Sequence, residues 1–158
     1  MMLFMLICFL SIYFQTDYLN EQEIDRVREA QDIDKRTEVF LRIADRRLDA
    51  LLGVKTEPHK KKREGEDYGP EPTGSREQLL LEYIRIFEEM MDKIDDAFER
   101  RKSPALDKAM KILAEGCRKQ RARLEVLSAR IDDETERRLL EKALDTIKTA
   151  EGGVEAYK

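Results

Sequence analysis

Tryptophan is absent from this chain, histidine occurs once, cysteine twice, proline four times and glycine seven times in 158 residues. Each scarcity excludes something. An all-β sandwich needs frequent turn residues and many Val, Thr and aromatic side chains, and a chain with 7% aromatics does not supply them. With His59 as the sole imidazole there is no Ser/His/Asp set and no Glu-x-x-His pair. No C-x-x-C motif and no Gly-rich phosphate loop occurs. Cys8 lies in an apolar leader, so removal of that leader makes Cys117 a lone thiol without a disulfide partner. A basic excess is also missing. Lys+Arg number 30 against 34 Asp+Glu, a net charge of -4, which argues against a dedicated nucleic-acid binder.

What the chain has in quantity is charge of both signs. Charged residues make up 41%, against about 25% in an average globular protein. Hydrophobic residues make up another 41%, too many for a disordered chain. That pairing predicts long amphipathic helices in one all-α domain.

Met1 to Phe14 carry no charge at all. As a helix the run would span roughly 21 Å, short of a bilayer core of about 30 Å. That length suits a secretory h-region, so residues 1–16 are expected to be a signal or signal-anchor segment and 17–158 the folded domain. No Lys or Arg precedes the run and no A-x-A junction follows it, so retention as an N-terminal tether is part of the expectation. The structural alternatives are a buried core helix or a misassigned start.

Helix signals follow. Asn20-Glu21-Gln22-Glu23 reads as a capping box. It opens a short helix with Ile24, Val27 and Ala30 on one face. Asp34 is the expected N-cap of the next helix, whose apolar positions are Phe40, Leu41, Ala44, Leu48, Leu51 and Leu52, with Gly53 at its C-terminal end. Residues 54–74 contain Pro58, Pro70 and Pro72 and almost nothing apolar, and are expected to be a flexible polar loop. Ser75 to Gln78 is a second capping box. The helix after it runs to about Arg101, with Leu80, Phe87 and Ile94 seven apart, and Tyr83, Met90 and Ala97 likewise. Ser103-Pro104 starts another helix, with Leu106, Leu113 and Leu127 in one position and Met110, Cys117, Leu124 and Ile131 in the other, Gln120 interrupting. Asp132 and Asp133 are expected to cap a last helix carrying Leu140, Ile147 and Val154, with Ala143, Ala150 and Tyr157 beside them. Gly152-Gly153 should end or kink it.

The expected architecture is an all-α antiparallel bundle of three long helices plus one or two shorter N-terminal ones, with the helix from Asp34 to Leu52 as its fourth member. Residues 76–101 hold 5 basic and 8 acidic side chains, and 104–131 hold 7 and 3. The opposite signs favour pairing of those two helices.

Candidate sites are few. Glu88, Glu89, Asp92, Asp95, Asp96 and Glu99 form an acidic face next to the Leu80-Phe87-Ile94 seam. Their positions put them in water, so no metal site is assigned. The run Lys60-Lys61-Lys62-Arg63 beside His59 is followed at once by Glu64, Glu66 and Asp67 and reads as solvated loop, with no nucleic acid implied. Cys117 falls in the seam and is expected to be inert, although Arg118 and Arg121 could lower its pKa. No catalytic residue, cofactor or small-molecule substrate is assigned.

Arg36-Thr37-Glu38-Val39-Phe40-Leu41-Arg42-Ile43-Ala44-Asp45-Arg46-Arg47-Leu48 and Leu79-Leu80-Leu81-Glu82-Tyr83, with a closing helix over 136–150, resemble bacterial extracytoplasmic helical domains of unknown function. Some of those domains occur in anti-sigma-factor-like proteins. The resemblance implies an all-helical periplasmic or secreted domain without catalytic residues. The functional expectation is an exported or membrane-tethered helical module, anchored through residues 1–14 if the leader is kept, that binds a protein partner or itself. The alternative is a periplasmic stress- or cation-responsive, chaperone-like module using the acidic face around Glu88–Glu99. A carboxylate enzyme is the remaining class, with the least support.

Overall fold

The computed structural model describes residues 18–54, 67–100 and 103–157. The leader, Cys8, His59 and the Lys60–Arg63 run lie outside them. The described residues are 82% helical and contain no strand, so the chain is an all-α bundle. Its helices are α1 (Glu21–Glu29), α2 (Ile33–Leu52), α3 (Arg76–Arg100), α4 (Pro104–Ser128) and α5 (Glu134–Tyr157).

Local capping explains most boundaries. Asn20 and Glu23 make both bonds of the capping box, and Ser103 accepts from the Leu106 amide with Pro104 in the first turn. Gly53 closes α2 at φ 70°, the left-handed conformation that Gly adopts without penalty. Three expectations need correction. Asp34 is not a cap: it lies inside the first turn of α2, and its carboxylate accepts from Lys108 Nζ at 2.7 Å. That bond holds Asp34 below the usual carboxylate range. At the start of α5 only Asp133 caps, accepting from the Glu136 amide at 2.9 Å, while Asp132 offers its backbone carbonyl to Arg137. Ser75 caps the Gln78 amide, but the Gln78 side chain turns to Glu82, so that box is half made.

Gly152-Gly153 does not end α5, which continues for another turn to Tyr157. The reason is what lies beyond the glycines. Val154 is buried, and the Tyr157 ring packs edge-on to Phe98 at 6.0 Å while its hydroxyl donates to Asp107. Those contacts outweigh about 1 kcal/mol of lost propensity per glycine.

The packing order also departs from expectation. Helices α3 and α4 do not pair; they lie on a diagonal of the bundle. Each instead packs against both α2 and α5, giving the cyclic order α2-α3-α5-α4. Neighbours α2 and α3, and α4 and α5, are antiparallel. Neighbours α2 and α4 are parallel, with Asp34 meeting Lys108 at one end and Arg130 meeting the Leu52 carbonyl at the other. Neighbours α3 and α5 are parallel too, joined by Arg76–Glu136 and Lys142–Glu88. Helix α2 is thus the fourth member of the bundle, as its sequence led us to expect. The basic excess of α4 is met locally: Arg123 binds Asp45 and Asp49 of α2, and Arg121 binds Glu151 of α5. Individual ion pairs, not helix net charge, match the surfaces.

The predicted seam is the core. Leu80, Phe87 and Leu113 are fully buried, as are Leu106, Leu124 and Ile147. Helices α2 and α4 approach closely at Gly116, where a Cβ would fall 2.5 Å from Leu41 Cδ1. Leu41 borders a surface groove between these helices, so its side chain can yield to one methyl group. Gly116→Ala should therefore stay within about 1 kcal/mol of the parent, its helix-propensity gain offsetting the displacement. Gly116→Leu should cost about 1–3 kcal/mol by overpacking. Urea midpoints of the two variants measure the difference; equal midpoints would contradict the close approach.

Candidate functional site

Three polar clusters and one apolar groove stand out from the bundle. The first cluster was not anticipated from sequence. Glu23 is fully buried and accepts from Arg46 and Arg47. Arg47, itself 3% exposed, binds both Glu23 oxygens, the Tyr18 carbonyl at 2.6 Å and Glu82 at 3.2 Å. Arg46 donates to the carbonyls of Tyr68, Gly69 and Pro70, and its guanidinium lies 5.9 Å from the Tyr68 ring centroid. Residues 67–70 are consequently docked, not free: Asn20 also holds the Tyr68 carbonyl and Arg26 the Asp67 carbonyl. The expectation of a flexible polar loop over 54–74 does not hold at these positions. A sequence signal existed. Arg47 sits seven residues after buried Phe40, on the apolar face of α2, where a charge requires a partner.

The second cluster lies inside the bundle. Gln120 Nε2 donates to the Leu41 carbonyl and to Asp45, but among the described residues its Oε1 has no partner, nor has the buried Tyr83 hydroxyl. Burial pushes the Tyr83 phenol well above its ordinary pKa and raises Asp45 despite Arg123 beside it. Cys117 is fully buried close by. Burial, reinforced by Glu151, pushes its thiol up to about 12, and the opposing effect of Arg121 is smaller. The Cys117 thiolate is therefore scarce at neutral pH.

The third cluster is the acidic face. Glu88, Asp92, Asp95, Asp96 and Glu99 are exposed, as their positions beside the seam imply. Glu89 differs: it is half-buried, accepts from the Tyr18 hydroxyl, and has its pKa raised by burial. Among the described residues, no group of three or more His, Cys, Asp or Glu side chains is arranged to hold a metal ion. No described helix is long and apolar enough to cross a membrane.

The groove lies at the end of the bundle where α3 and α5 finish and α4 begins. Its volume is about 190 Å³. Met91, Ile94 and Phe98 form the α3 wall, with Asp95 at the edge. Leu106 and Met110 of α4 make the floor, and Gly153, Ala156 and Tyr157 the α5 wall. Phe98 is 51% exposed. The sequence pattern did not single it out, because the groove joins three helix ends far apart in the chain. Comparison with protein-family models, with curated proteins and with solved structures finds no match to this chain.

Proposed function

We propose that this protein is a non-catalytic helical interaction module, exported or held at a membrane through residues 1–14, which binds a protein partner at the α3/α5 end of the bundle. One observation carries the reading: a half-exposed Phe98 lies in an apolar groove with Met91, Ile94 and Met110 at one end of the bundle. Apolar surface that remains open in this way marks interaction sites. The other exposed large apolar residues, Val54, Leu81 and Val126, are not part of the groove. The export half of the proposal rests on the uncharged run Met1–Phe14.

Fractionation tests that half. The full-length protein expressed in bacteria should appear in the periplasm or with the membrane. A chain starting at Thr16 should be soluble, helical and cooperatively folded in the cytosol, since the core described from Tyr18 onward draws on all four long helices. Full-length protein in the cytosol, together with a molten truncated form, would withdraw the export reading.

A further inference from the structure

We infer that the partner segment received by the α3/α5 groove is a basic amphipathic helix, which seats a large apolar side chain beside Phe98 and turns its Lys and Arg residues toward Asp92, Asp95 and Glu99. This inference rests on the interaction-module reading and adds the chemistry of the partner. Size argues for the apolar anchor. The groove holds about 190 Å³, and about 150 Å³ of apolar space accepts a benzene-sized group. Met91 and Met110 give the lining thioethers that adapt to an incoming side chain. The α5 wall is low: a Cβ added at Gly152 would meet nothing, and one at Gly153 would only touch Met91 at 3.6 Å. A second helix can therefore approach α5 closely along Gly152, Gly153 and Ala156.

Charge selects the sign of the partner. Asp95 lines the groove, and Asp92, Asp96 and Glu99 stand exposed on the same helix. None of these four makes an ion pair among the described residues, whereas Glu88, one turn before Asp92, pairs with Lys142. A basic helix would bring cations to these carboxylates and gain in encounter rate and register. The leader of this chain is apolar enough for the groove but carries no charge, so it would leave the carboxylates unmatched. A second folded copy has its amphipathic helices already packed into its own core.

The test uses the full-length protein and a fluorescent 18-residue helical peptide of Leu and Lys at amphipathic spacing. The comparison peptide has Glu in place of every Lys. The Lys peptide should bind at least tenfold more tightly, and its affinity should fall as salt rises. Phe98→Ser should weaken it at least tenfold, and so should the double reversal Asp95→Lys with Glu99→Lys. The same reversal at Asp132 and Glu134, at the opposite end of the bundle, should change affinity less than twofold. Circular dichroism of each variant should match the parent. Equal binding of both peptides, or a Lys-peptide affinity indifferent to Phe98→Ser and to the Asp95/Glu99 reversal alike, overturns the basic-helix inference. Self-association abolished by Phe98→Ser, or Lys-peptide binding that appears only after residues 1–16 are removed, also overturns it. Those two outcomes would assign the groove to a second copy or to the leader. The first of them leaves the module reading standing; a groove at which neither peptide, second copy nor leader binds removes both.

Discussion

Glu23→Gln should destabilise the protein by about 3–5 kcal/mol, measured as the shift in its denaturation free energy. The size follows from what the substitution leaves behind. Glu23 is fully buried and is the carboxylate shared by Arg46 and Arg47. An amide in its place presents an N–H₂ donor to two guanidinium donors. Arg47, at 3% exposure, then keeps only Glu82 at 3.2 Å as an anionic partner. A buried charge that loses its counterion is costly because water cannot replace the lost partner. The capping bond from the Asn20 amide to Glu23 is weakened as well. Replacing both members of the buried pair, Glu23→Met with Arg47→Met, should recover part of the loss, since packed apolar side chains often match a buried ion pair. A double variant no better than Glu23→Gln would mean that the cluster acts through the hydrogen bonds holding Tyr18 and residues 67–70 rather than through charge balance.

This cluster also marks where the sequence was and was not legible. Helix starts were readable at Asn20 and Ser103 because a cap is a local event, decided within four residues. The buried faces of α3, α4 and α5 were readable because a seven-residue apolar repeat specifies which side of a helix turns inward. The same repeat does not say which helix lies across from it. Opposite net charges on α3 and α4 suggested a pairing, yet the helices lie diagonally, and Lys108 and Arg123 of α4 pair instead with Asp34, Asp45 and Asp49 of α2. The continuation of α5 past Gly152-Gly153 depended on Phe98 and Asp107, both distant in the chain. The groove was hidden for the same reason. The acidic face was readable as exposed, but its relation to the groove required knowing that α5 runs parallel beside α3.

The seam itself admits a direct trial. Leu113→Asp should abolish the cooperative unfolding transition, whereas Asp92→Ala should shift stability by no more than about 0.5 kcal/mol. Leu113 is fully buried at the centre of α4. Removing its side chain alone would cost about 2–5 kcal/mol through lost burial and the cavity left behind. A carboxylate adds the cost of desolvation, against a total stability that for most domains is about 5–15 kcal/mol. Gln120, one heptad further along, shows what a polar group in this seam requires. Its amide is held by the Leu41 carbonyl and by Asp45, which itself is paired with Arg123 at the rim. A carboxylate at 113, an acceptor only when ionised, could make neither kind of bond that Gln120 donates. Asp92, in contrast, is exposed on the outer face of α3 and makes no ion pair among the described residues. Thermal melts of the two variants decide the matter: equal losses would place the seam on the wrong face of the helices, and with it the groove that opens where the seam ends.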